Sequence, residues 1–297
     1  MYLQTRPLHG VPFLLRDNII TLDQMQGTAG SHALLGAKPA YESSVVRKLC
    51  EAGAIILGKA ALTEWAIYRW DNSPTGWSSR GGQCTGPYLF SKYEGIRICN
   101  PAGKGNVAGL KATTGLVYRD GVIPASNRLN TLGPFTLLAA EEWESYSSRE
   151  QMALTVSDFA SSLAAYFQSL DTNPNNLESM QDLVAFTKAT AEEDYPRHNI
   201  TTFEIILDKE FYNSESFKEM EYLREYVCGA GGIEGALDRE KIDVLVVPTA
   251  ARTVTSVTFA SMGGSPLIAV PLGFYRPDTP IVKDKNGDPI TLAPGIP

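Results

Sequence analysis

The sequence predicts an α/β protein with a mainly parallel sheet, and three observations carry that reading. Helix, buried strand and helix follow in quick succession near residues 45–66. Two sharply bounded β-branched runs lie towards the C-terminal end, and a long stretch of helical spacing separates them from the first part. Strands at both ends with helices between them describe a layered α/β fold.

Each element has a local reason. Val45, Val46, Leu49 and Cys50 fall on one helical face, and Gly53 suits the C-terminal cap. Ala54-Ile55-Ile56-Leu57 reads as a short buried strand, and Leu62, Trp65 and Ala66 open another helical pattern. In the middle, Val156, Phe159, Ala160, Leu163, Phe167 and Leu170 keep helical spacing up to a break at Pro174. Asn176 is placed to cap a second helix carrying Leu177, Met180, Leu183 and Val184. A third helix carries Phe217, Met220, Leu223 and Val227, ahead of the loop Gly229-Ala230-Gly231-Gly232. Ile242-Asp243-Val244-Leu245-Val246-Val247 then stops at Pro248, and Leu267-Ile268-Ala269-Val270 stops at Pro271, as buried strands do. A sheet built from both ends, with a helical insertion at about 141–240, predicts one domain over 1–297.

Composition excludes several functions. A net charge of -7 argues against a nucleic-acid surface, which needs concentrated Lys and Arg. No run of about eighteen apolar residues is available to span a membrane, and the first residues lack the apolar core of a secretory signal. Cys50, Cys84, Cys99 and Cys228 form no metal-type pair and read as free thiols in a reducing cytosol, so the expected location is cytoplasmic. His9, His32 and His198 follow no zinc or dyad spacing, and His9 reads as a turn residue. Gly103-Lys104-Gly105 lacks the rest of a phosphate-loop pattern and is a loop.

The distinctive strings are Leu8-His9-Gly10-Val11-Pro12-Phe13-Leu14-Leu15-Arg16-Asp17-Asn18, Gly27-Thr28-Ala29-Gly30-Ser31 and Gly53-Ala54-Ile55-Ile56-Leu57-Gly58-Lys59. They continue through Thr63-Glu64-Trp65-Ala66, Arg80-Gly81-Gly82-Gln83, Gly109-Leu110-Lys111 and Asp120-Gly121-Val122-Ile123-Pro124. Near the end, Asp243-Val244-Leu245-Val246-Val247-Pro248-Thr249 and Val270-Pro271-Leu272-Gly273 complete the series. In this order the set resembles the amidase-signature family over most of the chain. The resemblance implies a three-layer α/β/α sandwich around a large, mixed, mainly parallel sheet. It also implies hydrolysis of amides by a nucleophilic serine, a bridging serine and a lysine base, with no cofactor and no metal. Glycine-rich turns would supply N–H groups to the oxyanion.

Set against that pattern, the lysine position is Arg16, and a guanidinium stays protonated and cannot take a proton. Arg16 is expected to pair with a carboxylate, Asp17 or Glu94. The bridging serine belongs to a serine-glycine run after Gln83, but Cys84-Thr85-Gly86-Pro87-Tyr88-Leu89-Phe90-Ser91-Lys92-Tyr93 leads straight on to Glu94-Gly95, without that run. Ser78 and Ser79 lie upstream of the glycines and are poor substitutes. The nucleophile's slot falls on Gly95 or Ile96, neither of which has a hydroxyl. Gly81, Gly82, Gln83 and Arg97 are the candidates to line a cleft for a small amide-like ligand. Losing the nucleophile costs about a million-fold in turnover.

The family's fold is expected to be incomplete here. Its pattern stops after Gly133-Pro134-Phe135 and helical sequence resumes near Glu150 with a block missing. Relatives are expected to extend beyond both ends. Each missing element would uncover apolar faces, at roughly 1.5–3 kcal/mol for each large side chain. Three functions follow: a non-catalytic shortened relative, an active amidase whose sequence is incomplete here, or a repurposed enzyme of small-metabolite biosynthesis. In the last, Cys84 or Cys99 would supply a thiolate beside Arg16.

Overall fold

A computed structural model describes residues 6–70, 76–84, 109–111, 120–124, 146–245, 264–270, 276 and 278. In chain order the elements are β1 (Pro12–Arg16), β2 (Lys38–Pro39), α1 (Ser44–Glu51), β3 (Ile55–Ala60) and β4 (Gly109–Lys111). Then follow α2 (Ser148–Val156), α3 (Phe159–Gln168), β5 (Leu170–Thr172), α4 (Met180–Ala189) and α5 (Thr201–Ile206). The last are α6 (Lys209–Tyr212), α7 (Glu215–Cys228), α8 (Ile233–Glu240) and β6 (Leu267–Ala269). They group into two compact units. One comprises 1–82, 117–130 and 155–212; the other comprises 83–116, 131–154 and 213–297.

In the first unit β1, a strand the sequence pattern did not signal, runs parallel to β3, with Leu15 opposite Lys59 and Arg16 opposite Ala60. α1 leads into β3 through Gly53, whose φ of +91° is open to glycine and costly for other residues. Beyond β1 the chain is stapled to the Asp120-Gly121 motif. Ile20 N donates to Gly121 O (2.8 Å), Ile123 N to Asn18 O (2.8 Å), and Ser44 N and Oγ to Asp120 Oδ2. Gly121 lies so near α1 that an added Cβ would sit 2.4 Å from Ser43 Cα.

The core of this unit is helical. Phe159, Leu163, Leu183 and Phe203 are wholly buried, and Phe159 meets Trp65 and Tyr68 edge-on at 6.3 and 5.3 Å. The expected helix from Val156 to Leu170 is two helices and a strand, broken around Asp158, while Leu170–Thr172 pairs antiparallel with β2. Asn176 takes a left-handed turn (φ +50°) rather than capping. The cap is Ser179, whose hydroxyl accepts from Asp182 N while the Asp182 carboxylate accepts from Ser179 N. That reciprocal pair satisfies two orphan N–H groups, which a lone asparagine three residues earlier cannot reach. Leu62, Trp65 and Ala66 do not start an α-helix: Trp65, Ala66 and Ile67 have positive φ, giving a left-handed turn.

In the second unit β4 and β6 are antiparallel, with Leu110 opposite Ile268. α7 appears where its spacing predicts, with Phe217 and Met220 buried. Ile242–Leu245 is irregular rather than strand, with Val244 70% exposed; residues 246 and 247 lie outside the described set. The fold class is α/β, mixed in its pairing. The β1–β3 and β4–β6 pairs, whose strands β3 and β6 were expected to be buried, leave hydrocarbon on the surface: Leu14 66% and Leu57 64% exposed in the first, Leu110 64% and Ile268 66% in the second.

Candidate functional site

Arg16 is the last residue of β1, at the point where the strand turns into Asp17. Asp17 is the anchor of the region. Its Oδ2 accepts from Thr28 Oγ1 (2.6 Å), Thr28 N (3.2 Å) and Gly30 N (3.0 Å), and its Oδ1 faces Arg80 Nη1 at 3.5 Å. The Gly27–Ser31 string therefore wraps this carboxylate. Gly30 must be glycine there, because its φ is +81° and a Cβ would lie 2.7 Å from Ser78 Cβ.

The Asp17–Arg80 pair ties the residue after Arg16 to the residue before Gly81. Two of the cleft candidates, Gly81 and Gly82, lie in the same unit as Arg16. The turn that carries them is held by Arg80 N to Gly30 O (3.0 Å), Gly81 N to Ser78 Oγ (3.0 Å) and Ser79 Oγ to Gly30 O (3.2 Å). Both serine hydroxyls bond to backbone groups, which is structural work. Gln83 belongs to the second unit, where its amide donates to Cys84 O at 3.1 Å. Glu94, Gly95, Ile96, Arg97 and Cys99 lie outside the described residues.

Lys59 is the lysine nearest in register to β1, but it sits opposite Leu15 and so on the other face from Arg16. Its ammonium donates to Ile19 O. Burial lowers its pKa, against the opposing pull of Asp17, Asp23 and Glu42.

Behind the turn lies a buried ionic cluster that sequence reasoning missed. Arg69 uses all five N–H groups: Nη1 to Glu64 Oε1 (2.7 Å) and Glu193 Oε2 (2.9 Å), Nη2 to Glu193 O and His198 O, and Nε to Asn199 O. Glu64 Oε2 accepts from Ser79 N at 2.7 Å, and Glu193 Oε1 accepts from Ser31 Oγ (2.7 Å) and His32 N (2.8 Å). All three ionic side chains are fully buried. Burial, then the repulsion of Glu193, pushes the Glu64 carboxyl up to about 8 despite Arg69. The Thr63-Glu64-Trp65-Ala66 string flags one partner, but no local pattern signals Glu193, far along the chain.

His198 departs from the expectation of no dyad spacing: Nδ1 lies 2.9 Å from Asp194 Oδ2, four residues earlier. Its ring stacks on Trp77 at 3.7 Å between centroids. Burial lowers its pKa more than Asp194 raises it, so the ring is neutral at pH 7. His9 is a turn residue as expected. Among the described residues no cluster has the ligand set of a metal site, and no helix is long and apolar enough to cross a membrane.

Four likenesses bear on this arrangement. A family model described as Amidase matches residues 2–78. An Arthroderma benhamiae protein named "Putative amidase" is 29% identical over 401 residues, covering 98% of this chain and 67% of that protein. An Arabidopsis thaliana protein named "Probable amidase" is 41% identical over 152 residues, covering 43% of this chain and 30% of its own length. The native peptide amidase of Stenotrophomonas maltophilia superposes with a TM-score of 0.71 at 26% identity, covering 91% of this chain and 77% of that one. The first alignment is longer than the 297 residues of this chain, so that relative has stretches with no counterpart here.

Proposed function

We propose that this chain, which belongs to the amidase family, keeps the frame of an amide-binding cleft but not the Ser-Ser-Lys route of hydrolysis. One observation carries the reading. The strand at the lysine position pairs with β3 through Leu15 and Arg16 beyond a register shift at Phe13/Leu14, the Asp17 carboxylate after it is hydrogen-bonded by Thr28 and Gly30, and the residue in the slot is Arg16. A guanidinium in that place orients and binds but does not accept the serine's proton. Supporting it, the junction from Gln83 to Glu94 lacks the serine-glycine run, with Ser91 its one serine, and the nucleophile's slot is Gly95 or Ile96.

The ligand is then a small amide-like molecule, for which Gly81 and Gly82 are the candidates in the first unit, while Gln83 and Arg97 are candidates from the sequence alone. Cys50, Cys84 and Cys228 are in no disulfide, which agrees with a cytoplasmic setting. The net charge of -7 disfavours nucleic acid as a partner.

The test is labelling of the purified protein with a serine-directed fluorophosphonate, alongside amide turnover by the wild type and Arg16→Lys. No labelled serine and no turnover from either protein are expected. Labelling at a single serine, or hydrolysis by Arg16→Lys alone, shows that the nucleophile lies elsewhere.

A second reading has its own support. The exposed faces of both strand pairs, together with an alignment longer than the chain, fit an active amidase whose sequence is incomplete here. Sequencing the transcript across Gln83 to Glu94 separates the two, since a recovered serine-glycine segment belongs only to the second. Arg16 counts against it, because a lost segment does not change a retained residue.

A further inference from the structure

We infer that Arg80 is a carboxylate-binding residue of the candidate cleft, so that the small ligand carries a carboxylate as well as an amide. The inference rests on the reading of Gly81 and Gly82 as cleft residues and adds to it a chemical class of ligand.

Arg80 is only half engaged. Its Nη1 donates to Thr28 Oγ1 at 3.0 Å and faces Asp17 Oδ1 at 3.5 Å. Among the described residues nothing accepts from its Nε or Nη2. Arg69 in the same unit is the opposite case: Nε, Nη1 and Nη2 all donate, and its side chain is fully buried. The Arg80 side chain keeps 35% exposure. A guanidinium with every nitrogen engaged holds the fold. One with the Nε–Nη2 edge left over presents two parallel N–H groups, the fork that meets both oxygens of a carboxylate side by side.

Arg80 differs from an ordinary solvated surface arginine in being held at both ends. Its backbone N donates to Gly30 O at 3.0 Å, and its Nη1 is fixed by Thr28 and Asp17. Asp17 is itself immobilised, since its Oδ2 accepts from Thr28 N, Thr28 Oγ1 and Gly30 N. A side chain already fixed loses little rotamer freedom on binding, which favours affinity. Asp17 does not use up the charge of Arg80, because three other donors share its carboxylate and the contact to Arg80 is long.

There is also room beside it. Gly81 and Gly82 follow directly and are exposed, and a Cβ at Gly82 would meet no described atom within 4 Å. Gly81 N turns inward to Ser78 Oγ, so the turn keeps its shape from within. A plain amide group matches the Arg80 edge poorly, because it offers one acceptor oxygen and sets its own N–H donors against the second N–H. A carboxylate offers two acceptors and satisfies both.

The experiment measures dissociation constants of the full chain by ligand-observed NMR. The probes are malonamate, succinamate and glutaramate, each beside its diamide, which keeps the size and replaces the carboxylate by an amide. At least one acid is expected to bind about tenfold more tightly than its diamide. That preference is expected to vanish in Arg80→Met and to shrink in Arg80→Lys, which keeps the charge but loses the fork. Equal binding of every acid and its diamide overturns the inference and leaves the amide cleft standing. A preference that survives Arg80→Met overturns it as well. No binding by any acid or diamide overturns the cleft reading and the inference with it. The wild-type comparison decides even where Arg80→Met does not fold.

Discussion

The interior around Arg69 and the outer face of the β1–β3 pair lie in one compact unit, and they are opposite in kind. Around Arg69, three buried charges and their neighbours are hydrogen-bonded almost without remainder, by partners from four separate stretches of chain. On the strand pair, Leu14, Leu57 and Ile55 stand half exposed or more. The difference teaches which parts of the unit are self-sufficient. Polar satisfaction around Arg69 is closed by the described residues themselves, whereas the apolar face of the β1–β3 pair has no covering layer among them.

Three substitutions sharpen that contrast on the self-sufficient side, in descending order of effect. Arg69→Met leaves Glu64 and Glu193 buried without a counter-charge, and a cost of about 3–5 kcal/mol in unfolding free energy is expected from denaturant titration. Gly121→Ala forces a Cβ against Ser43 Cα at a φ of +64°, and about 1–3 kcal/mol is expected from the same titration. Ser179→Ala removes one half of the α4 capping box and is expected to lower stability by about 1 kcal/mol. If Arg69→Met costs no more than Ser179→Ala, the cluster is not the closed interior described.

Sequence reached local features well and distant ones poorly. α1, β3 and α7 follow from short-range spacing, and each is present, whereas β1 and its pairing with β3 were not foreseen. Asp17 lay inside a motif string, but the sequence offered it only as a partner of Arg16, and its bonds to Thr28, Gly30 and Arg80 were not foreseen. Glu193 was invisible, since its partners Ser31, Glu64 and Arg69 come from remote segments that no periodicity connects. Trp65 and Ala66 misled for another reason: apolar spacing reads the same whether the turn is right- or left-handed, and tertiary bonds such as Trp65 N to Ala29 O decide. The Asn176 cap failed because Ser179 and Asp182 offer a better-placed pair.

The smallest expected effect tests the other half of the comparison. Leu57 is 64% exposed and projects from β3 with no covering element among the described residues. If that surface faces water, Leu57→Lys removes little buried hydrocarbon, and the unfolding free energy is expected to stay within about 0.5 kcal/mol. The charge should also reduce self-association seen by light scattering, because an apolar face on a two-stranded sheet recruits like surfaces. A loss nearer 1.5–3 kcal/mol, the cost of exposing a buried leucine, has a different meaning. Something then covers β3, and the reading of an incomplete sequence gains against that of a shortened protein. A near-zero change combined with a cooperative unfolding transition instead means that the first unit's helical core, centred on Phe159 and Leu183, holds the fold without a layer over the sheet.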